Sequence, residues 1–341
     1  MKTRILLPLI VAAVALALPG SSTPTVEAQT ARNVELRIAT LAPDGSSWMR
    51  VFNAWNQSLQ EATGDATGGR VSLRIYPGGS QGDERDFVRK MRDGQLDGAA
   101  VTTTGLGQVA RSTLVLAVPG VITDYAQMDR VRRRLDRQLM AGFAEGNVTL
   151  LGWGDVGKSR LFSTQSIARP SDLRSTRPWH WRDEPIFGEF LSVVGATPVQ
   201  LGVNEVYPSL QTGVVNTVPA SALAAVSLQW HTRLRYVTQQ NSGLIVGGTI
   251  LNKSAFDALT EAQRAALTST ADRAHSALRR AIRRDDDRAY QTVLRRGITE
   301  VDLTPNQGEW STAQATTRQR LTGRLYSAAL LRSVESAAAA Q

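Results

Sequence analysis

The chain contains no cysteine, so neither a disulfide framework nor a thiolate-ligated zinc or iron–sulfur centre can form. Histidine is scarce too, with 3 in 341 residues. His180, His231 and His275 do not have the HExxH spacing of a zinc protease. Beyond the first segment, no apolar window reaches the ~20 residues that a membrane-crossing helix needs. No internal repeat is present, and the one compositional bias is alanine at the C-terminus. What remains, 42% hydrophobic and 20% charged residues, suits an ordinary globular protein that buries its core without metal or disulfide. A chain of this length implies about two domains.

Thirty-nine Lys plus Arg against 30 Asp plus Glu give a formal charge of +9. The basic residues are interleaved with acids and form no arm or stacking platform, so no nucleic-acid partner is expected. Lys2 and Arg4 precede an apolar run over 5–18, and small and polar residues follow to Ala28. That order describes a secretory signal peptide over 1–28, cleaved after Ala28, with a centre too short to cross a bilayer. Cleavage removes Lys2, Arg4 and Glu27 and lowers +9 to about +8. The expected compartment is the bacterial periplasm.

Hydrophobic periodicity then orders the mature chain. Residues 35–39 alternate as a strand, and Trp48, Phe52, Trp55 and Leu59 recur at helical spacing behind a Ser46 or Ser47 cap. Residues 71–76 read as a second strand, 83–93 as a short helix with Phe87, Val88 and Met91 inward, and 95–102 as a third strand. This succession favours an α/β sandwich with a substantially parallel sheet. Short strands are expected at 150–155, 160–163, 197–201 and 213–217, with a helix over 184–194 between them. Residues 243–251 read as a central strand able to return the chain to the first unit. Thr260-Glu-Ala-Gln263 fits a capping box that opens a long helix or a bent pair, with Asp285-Asp-Asp287 facing water. The expected division is lobe 1 at 31–155 and 240–258, a lobe 2 core at 156–239, and a helical region at 259–341 that spans the hinge and packs on both lobes. Monomer is the default.

Chemistry is harder to find. Gly152-Trp-Gly-Asp-Val-Gly157 has the letters of a dinucleotide loop, but neither an opening βαβ unit nor the following acid accompanies it. Its glycines are expected at a strand-end turn beside a cleft. Asp83 and Glu84 fall at a helix start, where capping of free amides accounts for them. His275 lies within the long helix and reads as structural. The serines supply no assignable nucleophile, and no converging set of oxygens suggests a metal. No cofactor and no catalytic residue are expected.

Taken in order, 38–48, 76–85, 91–98, 150–157, 204–216 and 251–256 resemble the extracytoplasmic solute-binding proteins of tripartite ATP-independent periplasmic (TRAP) transporters, the DctP-like family, over about Val34 to Thr304. The resemblance implies an α/β fold of two lobes with a central cleft and long C-terminal helices. It implies closure around one small molecule and delivery to a small and a large membrane subunit. It also implies an arginine at the position of Trp179, where that residue would pair with a ligand carboxylate. Indole offers area and one N–H instead of a charged two-donor fork. Arg177 or Arg182 is the alternative source of the fork. Where the family segment reads aspartate then glycine, this chain has Asn216 and Thr217. The expected ligand is therefore more apolar or aromatic than an organic acid, with Trp48, Trp153, Trp179 and Trp181 as walls and Gln81, Asn216 and Thr217 as orienting groups. An ordinary carboxylate receptor and an exported hydrolase are the competing readings.

Overall fold

The computed structural model describes residues 32–340; the signal-peptide reading of 1–28 lies outside them. The first lobe opens with β1 (Val34–Thr40), α1 (Ser47–Glu61), β2 (Val71–Tyr76), α2 (Glu84–Arg92), β3 (Gly98–Thr102) and α3 (Thr103–Val109). Strand β1 runs parallel to both β2 and β3. Ser46 caps α1 by accepting from Met49 N, and the helix buries Trp48, Phe52, Trp55 and Leu59, the stripe its spacing dictates.

Helix α4 (Tyr125–Glu145) follows, an element the sequence reading passed over. Its signals are nonetheless ordinary. Asp124 and Gln127 exchange capping hydrogen bonds, and Met128, Val131, Leu135 and Leu139 return every third or fourth residue on the buried side.

The two expected strands at 150–155 and 160–163 are one strand, β4 (Val148–Ser163). Its first part pairs antiparallel with β9 (Gly243–Asn252), which pairs antiparallel with β3. Its last four residues pair with β7 (Thr217–Ala220), and Phe162 and Ser163 also pair with β8 (Tyr236–Thr238). The parallel arrangement expected for the sheet holds at β1, β2 and β3 and again at the β8 edge, where residues 299–301 pair parallel with it; through β4, β9 and β7 it is antiparallel. The glycine-rich stretch lies inside β4, with register shifts between Leu150 and Gly152 and between Asp155 and Gly157. Those bulges bend the strand as it passes from one lobe to the other. The glycines are thus mid-strand and do not form the strand-end turn expected of them.

The second lobe adds β5 (Trp179–Trp181), α5 (Pro185–Val194) and β6 (Val199–Leu201), a parallel pair with its crossover helix. Next come α6 (Val203–Thr212) and α7 (Ala222–Ser227). Residues 213–216, expected as strand, form the turn after α6, where Gly213 takes φ 74°; only Thr217 enters β7.

After α8 (Lys253–Asp257), α9 (Glu261–Arg295) runs unbroken for 35 residues, ~50 Å at the helical rise. Thr260 and Gln263 form its capping box, as expected. The aspartates do not all face water. Asp286 is fully buried and accepts from Lys158 N at 2.9 Å and Leu223 N at 3.0 Å. Helix α9 comes this close to β4 because of the glycines there. A Cβ on Gly152 would lie 2.3 Å from His275 Cγ, and one on Gly157, at φ +135°, would lie 2.6 Å from Asp286 Cγ. Strand β10 (Thr299–Val301) joins β8, and α10 (Gln307–Leu321) and α11 (Ala328–Ala339) complete the fold. Among the described residues no helix is long and apolar enough to cross a membrane.

Candidate functional site

Between the lobes lies a cavity of about 290 Å³. Its first wall is the carboxyl end of the parallel strands, with Thr40 from β1 and Thr102, Thr103 and Thr104 at the β3–α3 junction, together with Trp48 and Phe52 of α1. Strand carboxyl ends are where open α/β sheets place ligands. The facing wall is aromatic: Trp179 and Trp181 from β5, Phe187 and Phe190 from α5, Trp230 and Trp310. Gly154, Asp155, Gly247 and Gly248 from β4 and β9 close the floor.

The aromatic wall is fixed by its own contacts. Trp179 is 3% exposed and donates its indole N–H to Leu201 O at 3.0 Å. Its ring stacks on Trp181 at 5.9 Å and meets Trp230 edge-on at 5.2 Å. Phe187, Phe190 and Trp310 form a second stack with 6.0 Å steps. With its N–H bonded to backbone, Trp179 presents apolar surface to the cavity.

The charged lining consists of acids alone: Asp155, Glu84 and Glu184. Among the described residues no lysine, arginine or histidine lines the cavity. Asp155 is neutralised from behind, accepting from Arg132 Nη1 at 2.9 Å and Arg283 Nε at 2.7 Å. Asp129 in turn holds Arg283, so two acids and two arginines balance. Trp48 Nε1 donates to Asp155 O at 3.0 Å, which ties α1 to the same floor. Burial pushes the Glu84 carboxyl up to about 8, against the pull of Thr102 and Gly105 as donors. Burial also raises Glu184, whose oxygens cap α5 at Ile186 N and Phe187 N. The chamber therefore offers an anion no counter-charge.

Of the residues named from sequence, the structure brings Trp48, Trp179 and Trp181 together at the cavity. The others lie outside its lining. Gln81 accepts from Lys90 Nζ. Trp153 packs on Phe143 and beneath the Arg132 guanidinium. Arg177 donates through Nε to Gly213 O, and its backbone N–H goes to Asn216 Oδ1. Arg182 pairs with Glu205. Thr217 is fully buried, its hydroxyl on Ser163 Oγ. Asp83 caps α2 as expected, whereas Glu84 caps no amide of α2 and accepts instead from Thr102 and from Gly105 N in the first turn of α3. Glu84 fastens α2 to the β3–α3 junction, and Asp83 reaches the other lobe.

Sequence reasoning missed Phe187, Phe190 and Trp310 as lining. The first two read as the buried face of a helix, and that spacing is the same whether the face meets core or cavity. The expectation of no assignable serine nucleophile rested on taking Gly-x-Ser-x-Gly to be absent, and that is corrected by Gly78-Gly-Ser-Gln-Gly82, which has the letters of a nucleophile elbow. Ser80 there is exposed, in a turn between β2 and α2. None of the histidines serves it: His180 contacts Glu184 O and Gln200, His231 contacts Ala225 O and Arg296, and His275 contacts Ala271 O and Thr249. Among the described residues no group of three or more His, Asp or Glu is arranged to hold a metal ion.

Comparison with known proteins places this geometry. The family model DctP, bacterial extracellular solute-binding protein, family 7, matches residues 38–321. A solute-binding protein of Chromohalobacter salexigens is 22% identical over 250 residues, 72% of this chain and 74% of that protein. The C4-dicarboxylate-binding periplasmic protein DctP of Rhodobacter capsulatus is 20% identical over 244 residues, 71% of this chain and 73% of that protein. Among solved structures, a TRAP periplasmic solute-binding protein from Roseobacter denitrificans with bound β-D-glucuronate superposes with TM-score 0.81 at 19% identity, covering 89% of this chain and 99% of that one. The Bordetella pertussis receptor DctP7, which binds pyroglutamic acid, gives 0.80 at 17% identity over the same shares. At these identities the structural likeness is one of fold.

Proposed function

The chain belongs to the DctP family of bacterial extracellular solute-binding proteins, and from that premise we propose that it is a periplasmic receptor for an apolar or aromatic small molecule. One observation carries the ligand class: a cavity walled by tryptophan and phenylalanine has no lysine, arginine or histidine in its lining. Burying a carboxylate without a partner costs several kcal/mol, roughly the whole free energy of a micromolar complex. Burial against aromatic faces is favourable for a neutral solute, and the threonine cluster at the strand ends supplies the few polar contacts that orient it. The ligand touches both lobes and so favours the closed form by its extra affinity for it. The closed receptor then delivers its solute to the TRAP membrane subunits. No covalent step is involved.

The test is native mass spectrometry of the mature protein, unfolded to remove ligand, refolded and exposed to a mixed extract, with identification of what it retains. An apolar or aromatic molecule supports the reading. A small dicarboxylate or keto acid overturns it and shows that Arg177 or Arg182 reaches the ligand after all. Release of a chemically altered molecule would sink the receptor reading itself.

A further inference from the structure

On the α2 side of the cleft the lobes touch through contacts that need no solute. Asp83, the N-cap of α2, accepts from Glu84 N at 2.7 Å within its own lobe. Both of its oxygens also lie 3.1 Å from the indole Nε1 of Trp181 on β5, and Oδ2 accepts from Val203 N at 3.0 Å, the first residue of α6. One carboxylate thus spans the cleft. The opposing backbone is shaped for it: a Cβ on Gly202 would lie 2.8 Å from Asp83 Oδ2. The same rim carries Asn204 Nδ2 on Gly78 O and an exposed Arg85–Asp183 pair, both at 3.4 Å.

Trp181 has two environments. It lines the apolar chamber, and with Thr104 it also lines a separate crevice of about 210 Å³ whose remaining walls are Asp83, Arg85, Asp86, Arg89, Arg182 and Asp183. The indole stands between a space without cations and one where both charges alternate. Inward it is held by its stack on Trp179, and outward by the Asp83 carboxylate.

We infer that Trp181 is the door of the chamber and Asp83 its latch: the protein's own carboxylate holds the closed lobes together, and solute enters or leaves by breaking the Trp181–Asp83 hydrogen bond. The inference goes beyond the ligand class and stands whichever solute is carried. A hydrogen bond to a charged acceptor that is broken on opening and remade on closing changes the balance of the two forms by roughly tenfold or more.

Trp181→Phe keeps an aromatic ring in the wall, smaller than indole, and removes the N–H. Gly202→Ala, from the opposite side, puts a methyl group where Asp83 Oδ2 sits and leaves both Asp83 and Trp181 in the chain. Small-angle X-ray scattering of the solute-free mature protein should show both variants more extended than the parent. Stopped-flow release of N-phenyl-1-naphthylamine, a neutral fluorescent probe, should be at least tenfold faster from each. Unchanged scattering and release in Trp181→Phe and Gly202→Ala, with folding verified by circular dichroism, would overturn the door. If the parent takes up no probe, the apolar-ligand reading fails, and the scattering comparison still decides the door by itself.

Discussion

His275 hangs between Ala271 O and Thr249 Oγ1, each 2.8 Å from a ring nitrogen, with the edge of Trp55 against it. Burial lowers its pKa from 6.5 to about 4. The neutral ring therefore contributes stability that is fully present above pH 6.5 and is lost as pH falls through 4, about 3 kcal/mol in all. Glu84 works in the opposite sense: its raised pKa favours the fold below the ordinary carboxylate range, and that share is lost as pH rises through about 8. The difference in stability between the parent and His275→Gln, measured by urea unfolding, should shrink by that ~3 kcal/mol between pH 7 and pH 4. A constant difference would mean that the ring takes up its proton equally well in the folded and unfolded chain. The structural part assigned to His275 was readable from its place on an apolar helix stripe. Trp179 was expected at the cavity for a different reason, because the family resemblance implies an arginine at its position. Asn216 and Thr217 were expected there on the same ground, yet they serve the turn after α6 and the buried side of β7, because a resemblance in sequence does not say which way the chain faces.

Helix α9 illustrates the same division at the level of secondary structure. Its start was legible in Thr260 and Gln263, and its continuity through the aspartates was not. The signal was present: Asp286 falls between Ile282 and Tyr290 on the buried stripe, and a carboxylate in an apolar row must have donors waiting for it. Those donors come from β4 and α7, distant in sequence. Asp286→Ala would leave two buried backbone N–H groups unpaired, Lys158 and Leu223, and should cost about 2–4 kcal/mol. Asp286→Asn, which keeps one acceptor oxygen, should cost less, and equilibrium denaturation ranks the two. Equal losses would mean that the volume of the side chain matters and its hydrogen bonds do not. Strand β4 was misread as two pieces because its glycines interrupt the alternation of burial and because 16 residues is about three times the usual strand length. The sequence signal for α4 was strong, since cap and stripe are both in place.

The two-lobed plan was visible through the order of several family-like segments, while the cavity between the lobes was only partly so. Its lining is drawn from α1, β1, β3, β4, β5, α5, β9 and α10, and no local spacing announces that such distant stretches converge. Trp310 lies beyond the stretch that carried the resemblance and so received no reading. The aromatic wall is assembled by tertiary packing, and that explains why three of the named tryptophans met at the cavity and Trp153 did not.

Strand β4 has a last consequence, for the way the molecule comes apart. Its backbone hydrogen bonds belong to both lobes in turn, to β9 over 148–159 and to β7 and β8 over 160–163. Two bodies joined by a flexible linker can melt one at a time, but here the loss of either lobe strips the partner strand from the other. Calorimetry should accordingly record a single cooperative transition, with calorimetric and van't Hoff enthalpies equal, and amide exchange along 148–163 should report one common opening. Two resolved peaks would mean that the shared strand is a hinge that bends without transmitting the failure of one side to the other.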